Sequence, residues 1–218
     1  MPRTVNWELQ GRVATLQLGN SLTNAVNQSF LHDFHHCLIE IEKQKQVKAI
    51  VVKSSQEKVF ATTGLVKRGE EKEDSDKNQN LLYGVLKKLA LMPYPTIAIV
   101  SGIAMGAGFE LALACDLRIA NESARFGFLN GTCPTAIGAA ALIDLIGHSR
   151  AKEVMWFGQT IEASEACRLG IVNRILPTHQ LMNEGLEMAF AAGAQHEKLF
   201  KAGKQLWQKV ILEEQNSY

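Results

Sequence analysis

The sequence predicts an α/β fold, and three observations carry that prediction. Ile50-Val51-Val52 and Thr96-Ile97-Ala98-Ile99-Val100 are short apolar runs bounded by polar residues, the form taken by strands buried on both faces of a parallel sheet. The first run follows a stretch of helical periodicity, so strand, helix and strand succeed one another between Val13 and Lys53. The second feeds a glycine-rich turn that opens a very apolar helix, and beyond Pro134 the pattern is mainly helical.

Taken in order, Val13 to Leu18 alternates as a strand does, and Gly19-Asn20-Ser21 breaks it. From Asn27 to about Gln44, apolar Phe30, Leu31, Phe34, Leu38 and Ile41 recur at three- and four-residue spacing on one helix face. Lys48 to Lys53 is a buried strand, and the glycine-bearing stretch from Lys58 to Lys67, taken singly, reads as a loop. Residues 67–80 are almost wholly polar and form a solvated loop or a mobile helix, because they cannot bury a face of their own. Leu81 to Met92 regains helical periodicity, which Pro93 and Pro95 end. Thr96 to Val100 is a strand, Gly102 to Gly108 the turn, and Leu117-Arg118-Ile119-Ala120 the strand after the apolar helix. Gly170 to Pro177 is a strand-like interruption of the helical C-terminal part. No repeat with the period of a solenoid or propeller is visible.

The 218 residues suit one domain, with a core over 1–177 and a helical region over 178–218. A net charge of +1 provides no field for nucleic acid or a membrane surface. Cys37, Cys115, Cys133 and Cys167 are scattered without a C-x-x-C pair, which argues for reduced, buried thiols rather than a disulfide framework or a zinc site. Met1 to Glu8 lacks the apolar core of a signal peptide, and no apolar run is long enough to span a bilayer; the expectation is a soluble, cytoplasmic protein. His32 and His36 lie one helical turn apart, as zinc ligands can, but without a third ligand cluster they read as a solvated helix face. Cys133 has no histidine placed to activate it as a nucleophile.

The chemistry concentrates in Ser101 to Asp116. A strand that ends in glycine-rich backbone and feeds a helix presents free N–H groups at the positive end of the helix dipole, a place for a developing oxyanion. Gly106-Ala107-Gly108 lacks the Gly-Lys-Ser/Thr of a P-loop and has Leu111 at the third glycine position of G-x-G-x-x-G, so phosphate cradling is disfavoured. Glu110 places a carboxylate in the first turn of this apolar helix. By itself it would stabilise the helix start by about 0.3–1 kcal/mol.

Together these stretches resemble the crotonase (enoyl-CoA hydratase/isomerase) superfamily, from about Val13 to Pro177. The resemblance is carried by Asn24-Ala25-Val26, by Phe60-Ala61 before Gly64, and by Gly102 to Ala112 with Cys115 to Ala120. It continues in Ala124-Arg125-Phe126-Gly127, Ala163-Ser164-Glu165-Ala166 and Gly170-Ile171-Val172. It implies a crotonase-like spiral of ββα units with a shortened helical C-terminal region. It further implies an oxyanion hole in which the backbone N–H groups of Gly64 and Ala107 hold a thioester carbonyl.

By the same resemblance Glu110 is the acid/base residue, and Leu65, Val66, Lys67, Gly106 and Asn130 bind substrate. Asn130 stands where hydratases of the family carry a second glutamate, and an amide exchanges no proton at neutral pH. The implied activity is therefore acyl-CoA processing of the enoyl-CoA hydratase/isomerase type. The alternatives are decarboxylation, dehydration or hydrolysis of an acyl-CoA or carrier-protein thioester, and a non-catalytic acyl-CoA-binding partner subunit. The CoA thioester is the substrate and no further cofactor is implied; a homotrimer or hexamer is. Trp207 and Lys198, Lys201, Lys204 and Lys209 read as an amphipathic surface helix.

Overall fold

A computed structural model of the chain describes residues 3–19, 23–63, 72–129, 133–194 and 202–204. The chain opens with an antiparallel hairpin of β1 (Val5–Gln10) and β2 (Val13–Leu18). Then follow β3 (Ala25–Val26), α1 (Gln28–Glu42), β4 (Ala49–Ser54), β5 (Val59–Thr63), α2 (Lys72–Ala90), β6 (Thr96–Val100), β7 (Ile103–Met105) and α3 (Ala107–Leu113). The remainder comprises β8 (Leu117–Ala120), β9 (Arg125–Gly127), α4 (Ala136–Ile146), α5 (His148–Phe157), β10 (Ile161–Glu162), α6 (Ala163–Arg168), β11 (Arg174–Ile175) and α7 (Thr178–Ala194).

The strands form two sheets, ordered β1-β2-β4-β6-β8-β11 and β10-β9-β7-β5-β3. The units β2-β3-α1, β4-β5-α2, β6-β7-α3 and β8-β9-α4 each place one strand in either sheet before their helix. Successive units pair in parallel with the one before, so the chain advances as a spiral of ββα turns.

Side-chain alternation explains why the first sheet needs cover on both faces. Leu16, Ile50, Val52, Ala98, Val100 and Ala120 point into the main core. Val13, Ala49, Val51, Ile97, Ile99 and Ile119 point the other way, where Leu181 and Ala189 of α7 cover them. The turns of the spiral are tied by Asn24, a buried residue at φ 43° whose amide Nδ2 donates to Leu18 O, Ser54 Oγ and Phe60 O. One side chain thus joins the ends of β2 and β4 to β5.

Two expectations change. Val59 to Thr63 is a strand rather than loop, because β3 and β7 flank it and supply its partners. Of the loop and helix readings of 67–80, the described part takes the helix, as the first part of α2, which continues without a break to Ala90. Lys204 is also not a surface lysine: it is buried, and its Nζ donates to Asp116 Oδ2 at 2.9 Å and Tyr94 O at 3.0 Å. Trp207, Lys198, Lys201 and Lys209 lie outside the described residues. No helix among the described residues is long and apolar enough to cross a membrane.

The helix α3 positions the site, and all seven of its residues are buried. Its carbonyl end cannot reach water, so a donor must come from the protein. Arg118 of β8 fills that role: Nη1 donates to Ala112 O, Leu113 O and Cys115 O, and Nε donates to Ile171 O at 2.6 Å. Arg118→Met keeps most of the volume and removes every donor. It is expected to cost ~3 kcal/mol or more in urea unfolding, since buried unpaired carbonyls lose ~1–3 kcal/mol each; a loss below about 1 kcal/mol would contradict this capping role.

Candidate active site

The start of α3 lies against the end of β5, and the absence of side chains allows it. A Cβ on Gly108 would stand 1.9 Å from Ala61 O, so helix and strand backbones are in direct contact there. Gly106, the N-cap of α3, adopts φ 55° and ψ −124°, a conformation that favours glycine. A Cβ on Gly106 would meet Thr63 Oγ1 at 2.0 Å. The Thr63 hydroxyl fills that space and accepts the Ala107 N–H at 2.9 Å. Gly106 N–H is itself spent on Gly127 O at 2.8 Å, which ties the turn to β9. Ala107 presents its N–H at the start of the helix, where the Thr63 hydroxyl accepts it.

Aromatic packing fixes the rotation of α3. The Phe109 ring sits 5.7 Å from Phe126 and 5.2 Å from Phe128, both in tilted contact. With Phe109 held on that side, Glu110 faces the start of α4. Its carboxylate is buried, and Oε2 accepts two hydrogen bonds from one residue, Thr135 N–H at 2.8 Å and Thr135 Oγ1–H at 2.5 Å. Thr135 is the N-cap of α4, its Oγ1 accepting Gly138 N–H at 3.1 Å. Gly138 also makes room for the acid, because a Cβ there would stand 2.4 Å from Glu110 Oε2. Burial pushes the Glu110 carboxyl above the ordinary glutamate range, while the two bonds from Thr135 pull it down; burial is the larger effect. Acid/base chemistry by a carboxyl of raised pKa is what this arrangement can supply.

The turn therefore brings Gly106, Ala107 and Glu110 together. Gly64, Leu65, Val66, Lys67 and Asn130, also named from the sequence, lie outside the described residues. Thr63 and Thr135 were missed. Thr135 carried a signal, since a threonine after Pro134 and before the apolar run Ala136–Ile146 is a helix N-cap pattern; Thr63 was hidden by the reading of its segment as loop. His36 Nδ1 lies 3.2 Å from Glu40 Oε1, and the described residues hold no group of three or more His, Cys, Asp or Glu placed for a metal. Cys37 and Cys115 are buried, and burial pushes the Cys115 thiol up to about 12, leaving it inert as a nucleophile. Cys133 is exposed and Cys167 half-buried, which departs from the expectation of uniformly buried thiols.

The raised Glu110 carboxyl makes stability depend on pH. The native state holds this proton more tightly than the unfolded chain, where the carboxyl titrates at about 4.3. Its contribution is complete below that value and is lost as pH rises through the raised native pKa. Glu110→Gln cannot ionise, so its melting temperature relative to the parent is expected to climb across that window and then level off. Parallel thermal melts from about pH 4 to about pH 8 check this, and a difference independent of pH would contradict it.

Comparison with known proteins identifies the family. The family model described as enoyl-CoA hydratase/isomerase matches residues 8–215. Among curated relatives, a short-chain-enoyl-CoA hydratase of Clostridium acetobutylicum is 33% identical over 188 residues, covering 84% of this chain and 72% of the relative. The mitochondrial enoyl-CoA hydratase domain-containing protein 2 of Mus musculus is 32% identical over 187 residues, covering 84% of this chain and 63% of its own length. The crystal structure of an enoyl-CoA hydratase from Bacillus anthracis superposes with a TM-score of 0.89 at 27% identity, covering 96% of this chain and 84% of that one. The ββα spiral, the buried glutamate at the start of α3 and these matches together place the chain in the enoyl-CoA hydratase/isomerase (crotonase) family of acyl-CoA-processing enzymes.

Proposed function

We propose that the thioester carbonyl of an acyl-CoA binds at the Ala107 N–H, with the Gly64 N–H as second donor, and that Glu110 exchanges the proton. The observation that carries this reading is the pairing of an inward-facing backbone N–H with a buried carboxylate three residues later in one short helix. On binding, the thioester oxygen replaces Thr63 Oγ1 as acceptor. As negative charge develops on that oxygen, a preorganised donor in a dry site is worth ~3–4 kcal/mol. Leu65, Val66, Lys67, Gly106 and Asn130 line the bound thioester in this reading.

The reaction is hydration or isomerisation of an enoyl-CoA, the chemistry for which the relatives and the family are named. A second reading is a reaction in which the oxyanion hole does most of the catalysis, such as decarboxylation. It is favoured by Asn130, an amide where hydratases of the family carry a second glutamate. A trimer, and a cytoplasmic setting, belong to the same proposal. Trp156 and Phe157, 72% and 68% exposed in the single chain, would suit an assembly that covers them.

Spectrophotometric turnover of crotonyl-CoA and a panel of malonyl- and hydroxyacyl-CoA thioesters tests the reading. Glu110→Gln is expected to lower kcat by about a hundredfold or more. Asn130→Glu is expected to raise crotonyl-CoA hydration if the hydratase reading holds, and to leave it unchanged if the second does. Absence of turnover of every thioester, with no rise in melting temperature on adding them, would overturn both.

A further inference from the structure

We propose that the Thr135 side chain is a positioning residue for the Glu110 reaction, fixing Oε1 as the carboxylate oxygen that exchanges the proton. This rests on the reading of Glu110 as the acid/base residue and adds the group that aims it. The direction of each bond decides the matter. Gly138 N–H donates to Thr135 Oγ1 at 3.1 Å, so that oxygen uses a lone pair on Gly138 and turns its own proton toward Glu110. Glu110 Oε2 then receives the Thr135 hydroxyl proton at 2.5 Å and the Thr135 N–H at 2.8 Å.

A carboxylate oxygen has two in-plane lone pairs, and Thr135 occupies both on Oε2. A third proton placed there would face two donors, whereas Oε1 carries neither bond. When a substrate C–H bond breaks, its proton therefore forms an O–H bond at Oε1. The electron pair left behind becomes the enolate, whose charge rests on the thioester oxygen at the Ala107 N–H. The reverse step returns the same proton from Oε1. Two bonds from one residue to one oxygen also hold the side chain against rotation that would exchange its oxygens, in the gap that the missing Cβ of Gly138 leaves.

The test compares Thr135→Val, which keeps the shape and the backbone N–H but lacks the hydroxyl, with Thr135→Ser, which keeps the hydroxyl, in the full-length chain. Crotonyl-CoA hydration is the assay, or whichever thioester of the panel the parent turns over. Thr135→Val is expected to lower kcat about ten- to a hundredfold with KM within about twofold, the range for loss of one hydrogen bond to a charged group. Thr135→Ser is expected to stay within about threefold of the parent in both constants. A purely structural role as helix cap would lower the melting temperature of Thr135→Val but leave kcat of the folded protein unchanged, and that result overturns the proposal. Loss of kcat in Thr135→Ser equal to that in Thr135→Val overturns it as well. A parent that turns over no thioester overturns the functional reading together with this one, whereas an active parent with an unimpaired Thr135→Val overturns this one alone.

Discussion

The structure depends on keeping a short helix wholly out of water. With all seven residues of α3 buried, the unpaired backbone groups at both ends need partners inside the protein. At the carbonyl end Arg118 provides them, and a cation there also matches the helix dipole. At the amide end, glycines at 106 and 108 let the turn touch β5 directly, and the Ala107 N–H is received by the Thr63 hydroxyl. The same burial that requires these partners gives the site its low dielectric, in which one N–H counts for more than it does in water.

Glu110 shows the other consequence of that burial. A carboxylate placed in an apolar layer has its pKa pushed up by burial. The two bonds from Thr135 offset part of that desolvation. The sequence that builds this is local on each side. Phe109 sets the face of α3, Thr135 caps α4, and Gly138 leaves the gap in which the carboxylate sits.

Much of this was legible beforehand. The strands Val13–Leu18 and Thr96–Val100 and the helix after Asn27 follow from periodicity, because their faces are buried against one another in the same pattern that the residues display. The turn at Gly106 and the carboxylate at Glu110 stood out because glycine and a lone charge are conspicuous in an apolar run. What periodicity did not reveal is the second sheet. Its strands β3, β5, β7, β9 and β10 are two to five residues long, too short to establish an alternation, and they exist because neighbouring turns of the spiral supply their hydrogen bonds. For the same reason the spiral repeat was invisible: the units share a path and a pairing rule, but few residues. Lys204 was misread because a lysine in a charged segment looks solvated unless Asp116, distant in sequence, is known to wait beneath it.

The central claim is that a thioester oxygen takes the place of Thr63 Oγ1 on the Ala107 N–H. Isotope-edited infrared spectroscopy of a carbonyl-labelled, unreactive acyl-CoA thioester bound to the protein measures that contact directly. A carbonyl stretch at lower frequency than in water, returned toward the water value when Ala107 is replaced by proline, is the result this account requires. A stretch that is unchanged on binding, or shifted upward as in an apolar solvent, would contradict it.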